Sequence, residues 1–246
     1  MELYVRELAL AEPVPADSYP AGLPVVQALA REPVTFTRPV TFFVGENGVG
    51  KSTLIEGLAV ALGFNPEGGS RNFSFSTSDS HSPLYRSLRV VKGVRHPRDG
   101  FFLRAESFYN AASYLDEVET GCGGTGFAAY GGISLHAQSH GESFLSLVEN
   151  RFGGQGLYIL DEPEAALSPT RLMTLMVALQ RLVRQQSQFI IATHSPILMT
   201  FPGAEILEIT PEGIQSVPYQ ATEHYQVTRQ FLENPERMLR YLLEEE

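Results

Sequence analysis

The stretch that decides the fold is VTFFVGENGVGKSTLIEGLAVAL, Val40 to Leu62. Its first five residues are a short apolar run that reads as a buried strand, and from Leu54 to Leu62 the apolar residues recur at helical spacing. Between them Gly45, Gly50, Lys51 and Ser52 satisfy the pattern G-x-x-x-x-G-K-[ST]. Strand, loop and helix in this order have a physical use. Glycines let the backbone turn so that successive N–H groups face an anion, and the following helix adds its positive end. Lys51 can then reach phosphate oxygens, and Ser52 can offer a hydroxyl to a divalent cation. The candidate phosphate-binding residues are therefore Gly45, Glu46, Asn47, Gly48, Val49, Gly50, Lys51, Ser52 and Thr53. A Gly-rich turn with a surface lysine is the plain alternative, and the flanking strand and helix weigh against it.

Downstream, GLYILDEP places four apolar residues before Asp161 and Glu162. A carboxylate at the end of a buried strand can hold a magnesium ion through its water shell, which makes Asp161 a candidate metal residue. Glu162 is placed to polarise an attacking water as a general base. Taken alone, the pair could be an acidic helix cap. A helix over Pro169 to Gln185 and a strand in QFIIATHSP follow. This βαβ rhythm predicts an α/β fold with a largely parallel sheet. Glu162 and Lys51 are candidate catalytic residues, while His194, which ends that last strand, reads by itself as a satisfied structural histidine.

Outward from this frame, MELYVRELAL alternates like a strand and leads into a Pro-rich connection from Glu12 to Pro24. Residues 63–100 read as an ordered but variable excursion. FFLRAESF then reads as a strand entering a short helix, Phe108 to Val118, and a Gly-rich connection precedes SLHAQSHGES. After Gly141 the apolar spacing is helical and ends near Gly153. A strand pair lies near Ile206 to Val217, with two helices from Thr222 onward. Tyr19 could stack on a nucleotide base, although a core or loop role is the commoner one for a tyrosine.

Ser139, His140, Gly141 and Glu142 resemble a variant of the Ser-Gly-Gly-Gln signature of the ABC ATPases, at a similar distance before the acidic pair. His140 replaces the usual glycine and Glu142 the glutamine. The same residues could serve only as a capping box, Ser139 with Glu142. His136 and His140 could also suggest a metal pair, but they lack further ligands nearby. The stretch from Ala166 to Pro169 is similar to the loop that crosses the dimer interface in that class, and IIATHSP resembles its switch-histidine segment, which implies that His194 is a third candidate catalytic residue. With GENGVGKST, FFLRAES and LYILDEPEAALSP, the resemblance is to small stand-alone ABC-class ATPases and covers nearly the whole chain. It implies ATP and Mg2+ as ligands, ATP hydrolysis, and a nucleotide-dependent homodimer. In that homodimer Ser139, His140, Gly141 and Glu142 of one copy meet the ATP held by the other.

The resemblance also implies an ABC-type P-loop NTPase fold with an antiparallel β element and a reduced helical lobe, residues 107–153, within one domain spanning 1–246. Transport subunits carry a magnesium-touching glutamine after the strand that FFLRAES matches. Here Glu106, or the neighbouring Arg104, takes its place, and Glu106 is the third candidate metal residue. The gap from there to Ser139 is short. It leaves little room for a lobe that grips a membrane partner and none for long coiled-coil arms.

Composition narrows the field further. The chain has 246 residues, 43% of them apolar, enough for a core. Its one cysteine, Cys122, rules out an internal disulfide and a CxxC metal site. No apolar run is long enough to span a membrane. The opening lacks a secretory pattern, so no membrane insertion and a cytoplasmic location are expected. The net charge of −10 argues against a protein held to nucleic acid by its phosphates alone. Arg71, Arg86, Arg89, Lys92, Arg95, Arg98 and Arg104 nevertheless gather seven of the 18 basic residues in one segment. A nucleotide-switched module for an unidentified DNA or protein partner is the second reading, and a transporter subunit the third.

Overall fold

The computed structural model describes residues 2–70, 82–105 and 139–243. Its central element is a six-stranded sheet in the order β5-β6-β7-β3-β8-β9. These strands are β3 (Val40–Val44), β5 (Asp99–Arg104), β6 (Gly156–Asp161), β7 (Gln188–Ala192), β8 (Glu205–Thr210) and β9 (Gly213–Ser216). The first five are mutually parallel, and β9 pairs antiparallel with β8. The α/β, largely parallel fold expected from the sequence is the fold observed.

The alternation within each strand explains the layering, because successive side chains leave a strand on opposite faces. Val40, Phe42 and Val44 of β3, with Tyr158 and Leu160 of β6, join one core cluster. Phe43, Leu157 and Ile159 join the other. The first cluster is covered by α3 (His140–Arg151), through Phe144, Leu147 and Val148, and by α4 (Pro169–Arg184), through Leu172, Leu175, Leu179 and Leu182. The second is covered by α1 (Pro24–Arg31) and α2 (Lys51–Ala61), through Val25, Leu29, Leu54 and Leu58. A sheet covered on both faces buries every position of β3, β6 and β7, and so their sequences read as continuous apolar runs.

A smaller antiparallel sheet, in the order β2-β1-β4, is built from β1 (Val5–Leu10), β2 (Val34–Thr35) and β4 (Leu88–Lys92). It is the antiparallel β element expected for the class. The buried amide of Gln188 fastens it to the central sheet. Gln188 Oε1 accepts from the N–H groups of Tyr4 and Val5 at 2.8 and 3.0 Å, and Nε2 donates to Val5 O at 2.9 Å. Three backbone groups of the entering chain are thus satisfied by one side chain.

Two elements differ from the sequence reading. The Pro-rich connection ends in α1, whose Pro24 occupies the first turn, where a missing N–H costs nothing. Residues 63–100 also contain β4 and the start of β5, so this excursion contributes a strand to the small sheet. Residues 71–81, the expected helix Phe108–Val118 and most of the expected lobe at 107–153 lie outside the described residues. At the C-terminal side, α5 (Glu223–Glu233) and α6 (Pro235–Leu243) follow the strand pair.

Candidate functional site

The loop between β3 and α2 sits at the C-terminal edge of the parallel strands, where ligands of open α/β sheets bind. Gly45, Gly48 and Gly50 have φ of 141°, 86° and 96°, values that side-chain-bearing residues rarely adopt. Space also excludes a side chain at Gly50, where a Cβ would lie 2.7 Å from Val25 Cγ1 of α1. The N–H of Val25 donates to Val49 O at 3.1 Å, so α1 supports the loop from behind. Tyr19, on the turn before α1, is 74% exposed and is therefore no core residue.

Lys51 is buried, and its Nζ donates to Gly45 O and Glu46 O at 2.8 and 2.9 Å, lying across its own loop. Burial lowers its pKa, opposed by the carboxylates of Glu162, Asp161 and Glu164. Ser52 Oγ donates to Asp161 Oδ1 at 3.0 Å, bringing the end of β6 against the start of α2. Asp161 Oδ2 stands 3.4 Å from Arg104 Nε, and Arg104 Nη1 donates to Glu56 Oε2 of α2 at 2.8 Å. Arg104, named from sequence as the alternative to Glu106, thus reaches Asp161. Glu106 lies outside the described residues.

Two hard oxygen donors, a hydroxyl and a carboxylate, side by side at a helix N-terminus suit a small hard cation such as Mg2+. The pair Ser52 and Asp161 therefore fits that ion. Among the described residues no cluster of three or more His, Cys, Asp or Glu could hold a metal by itself. Such a donor pair would need phosphate and water oxygens to complete its shell.

Glu162 adopts the left-handed conformation, φ 49° and ψ 53°, uncommon for a residue with a side chain. Its N–H donates to Ala192 O at 3.0 Å, so the end of β7 holds the strained residue in place. Glu162 Oε1 lies 3.6 Å from His194 Nε2. His194 itself is held from two sides. Its backbone N–H and the Thr193 hydroxyl both donate to Glu164 Oε1, and its ring Nδ1 is 2.9 Å from Nε2 of His224 on α5. Burial, with Lys51 and His224 nearby, pushes the His194 pKa down to about 4, leaving a neutral ring at ordinary pH. Burial likewise raises the Glu164 carboxyl.

Ser139, Gly141 and Glu142 stand at the start of α3. Glu142 Oε2 accepts from Ser139 N and Oγ at 3.0 and 2.7 Å, a capping box. Arg171 of α4 donates to Ser139 Oγ at 3.0 Å and to Glu142 Oε1 at 2.9 Å. Gly141 allows that approach, since a Cβ there would lie 2.5 Å from Arg171 Nη1. None of these residues lines the cavities beside the phosphate loop, whose described walls come from Glu46, Asn47, His194 and the C-terminal segment. The side chain of His140 and all of His136 lie outside the described residues.

Sequence reasoning missed His224, Glu164 and Arg171. Only Glu164 sat close enough to a recognised motif to carry a signal. The other two reach the site from distant helices.

Among known families, a sequence profile described as an AAA domain matches residues 27–96. A second, described as "AAA domain, putative AbiEii toxin, Type IV TA system", matches residues 137–200. No curated protein matches the chain. Among solved structures, the SMC head domain from Thermotoga maritima is 16% identical, with a TM-score of 0.45, covering 88% of this chain and 99% of that one. The cbiO1 protein of Clostridium perfringens, part of the ABC transporter complex cbiONQ, is 16% identical with a TM-score of 0.46, covering 86% and 90%.

Over the phosphate loop and over the acidic pair, on a parallel sheet, the chain is thus similar to AAA-type P-loop domains.

Proposed function

We propose that this chain binds Mg-ATP in the loop Gly45–Thr53 and hydrolyses it to ADP and phosphate. The observation that carries this reading is the convergence of Lys51, Ser52, Asp161, Glu162 and His194 at one edge of the sheet. Lys51 exchanges the carbonyls of Gly45 and Glu46 for β- and γ-phosphate oxygens. Ser52 and Asp161 would hold Mg2+, which supplies charge neutralisation on those oxygens. Glu162 accepts a proton from a water whose oxygen attacks the γ-phosphorus as the bond to the β-bridging oxygen breaks. His194 donates a hydrogen bond to the γ-phosphate and steadies that water. Glu106 is a further candidate near the metal.

The complete site is a head-to-tail homodimer in which Ser139, His140, Gly141 and Glu142 of one copy close over the ATP of the other. Its support is that Ser139 and Glu142 are held by Arg171 and, with Gly141, line none of the described cavities at the loop of their own chain. A serine hydroxyl at a helix start favours an anion brought from outside. The chain acts as one cytoplasmic domain, 1–246, with a reduced helical lobe. Among the described residues no helix is long and apolar enough to cross a membrane. The test is ATP turnover with ADP and phosphate quantified. Loss on Glu162→Gln with ATP binding retained supports the reading, and undiminished turnover contradicts it.

The nucleotide-switched partner module is favoured by one observation, the exposure of Leu232, Leu239, Tyr241 and Leu242 on α5 and α6, which suits a protein partner. The DNA version is weakened by charge pairing, since Arg89 meets Glu7, Arg95 meets Glu2, and Arg104 meets Glu56. Absence of salt-sensitive DNA binding, with and without ATP, removes it.

A further inference from the structure

The hydrolysis scheme uses His194 but leaves its contact with His224 unexplained. Their ring nitrogens Nδ1 and Nε2 lie 2.9 Å apart, with ring centroids separated by 5.1 Å at an interplanar angle of 55°. The outer nitrogens, His194 Nε2 and His224 Nδ1, are buried and make no hydrogen bond among the described residues. A neutral imidazole carries one N–H, so the contact requires one ring to donate and the other to accept. Glu162 decides which. Its carboxylate lies 3.6 Å from His194 Nε2, where an N–H is attracted and a bare lone pair repelled. His194 therefore carries its proton on Nε2 and accepts on Nδ1, and His224 is the donor.

We propose that His224 is a positioning residue of the ATP site. Its Nε2–H fixes His194 as the Nε2–H tautomer, with that proton directed at the space between Glu162 and the terminal phosphate. The proposal rests on the hydrolysis reading above, because only there does the direction of the His194 proton matter.

The way α5 is seated suits the role. Thr222, fully buried, caps the helix, accepting from Tyr225 N at 3.3 Å and donating to Tyr219 O at 2.8 Å, so the first turn that carries His224 is locked. On the same face Glu223, Val227 and Thr228 wall a cavity of about 470 Å³ opposite Glu46, Asn47 and His194. The charged groups around the pair are Lys51, Glu162, Glu164, Glu208 and Glu223. A strand-end histidine is usually oriented by its own strand and loop. Here the hydrogen bond to its Nδ1 comes from a helix more than one element away, so any force that moves α5 reaches the reacting end of the site.

The experiment compares the full chain with His224→Phe, which keeps a ring without a donor, and with His224→Gln, whose amide N–H can donate. Steady-state ATP hydrolysis is read together with side-chain 1H–15N correlation spectra at neutral pH. The expected result is a kcat lower by about 10- to 100-fold in His224→Phe with KM for ATP little changed, as for removal of a histidine's outer hydrogen-bond partner. His224→Gln should recover most of that loss. The spectra should show His194 protonated on Nε2 in the wild type and on a mixture of nitrogens in His224→Phe. Wild-type turnover in His224→Phe, or a wild-type His194 protonated on Nδ1, overturns the proposal. If the wild type hydrolyses no ATP under any condition, the hydrolysis reading fails, and the spectra still decide whether His224 sets the His194 tautomer.

Discussion

Ser52 Oγ donates to Asp161 Oδ1 across 3.0 Å, joining residues 109 positions apart in the chain. Neither oxygen needs the other for structural reasons, since a serine at a helix start can cap and an aspartate at a strand edge can meet water. Their adjacency is the arrangement a shared cation requires. The Asp161→Asn variant should therefore lose the magnesium-dependent part of ATP affinity, by about tenfold or more, or ~1.4 kcal/mol per decade. Titration calorimetry with ATP in magnesium and in EDTA checks it. Equal losses in both conditions would mean that Asp161 acts only on the loop.

Arg104 couples Asp161 to α2 through Glu56, whose side chain is 11% exposed. Glu56 Oε1 also accepts from the Ser82 N–H at 2.8 Å. Removing the guanidinium leaves a buried carboxylate without its cation, which is costly. The Arg104→Met variant should lose about 2–4 kcal/mol of unfolding free energy, and adding Glu56→Gln should restore part of it. Urea unfolding of the single and double variants measures both.

The neutral His194 gives a pH dependence with a definite sign. Its folded pKa of about 4 lies below the ordinary 6.5. Between those values the unfolded chain binds a proton that the folded chain rejects. This contribution is present in full above about pH 6.5 and is lost as pH falls through 4, amounting to about 3–4 kcal/mol at ~1.4 kcal/mol per pKa unit. Burial raises Glu164, which works in the opposite direction. The observable is therefore the wild-type minus His194→Gln difference in urea stability, and it should shrink between pH 7 and pH 4.5.

Arg171 holds both Ser139 and Glu142 at the head of α3. Because the pair is largely exposed, Arg171→Ala should leave the thermal midpoint nearly unchanged. In the composite-site reading it should weaken ATP-dependent dimerisation by about tenfold, through loss of an ordered signature, or ~1.4 kcal/mol. Analytical ultracentrifugation with ATP distinguishes the two effects.

The central sheet was legible because a strand buried on both faces writes an unbroken apolar run, as in Phe42–Val44 and Leu157–Leu160. The phosphate loop was legible because three left-handed positions demand glycine within six residues. α1 was hidden by Pro24 and the prolines before it, which signal a loop as readily as a helix start. β4 was hidden because its burial is one-sided and brief, so LRVVK lacks a strong alternation. The least legible features were contacts between distant elements. Nothing local in HSP or in EHYQV says that His194 and His224 meet, nor does the RLMT segment announce that Arg171 clamps Ser139. Such meetings depend on how α4 and α5 pack, which no short-range pattern encodes.

The central claim, a composite ATP site, is tested most directly by size-exclusion chromatography with light scattering on Glu162→Gln, with and without ATP and magnesium. Removing the general base should trap the ATP-bound assembly. The expected result is a monomer without nucleotide and a dimer with Mg-ATP. A species that stays monomeric while calorimetry shows ATP bound would contradict the composite site and leave the partner-dependent switch as the better account.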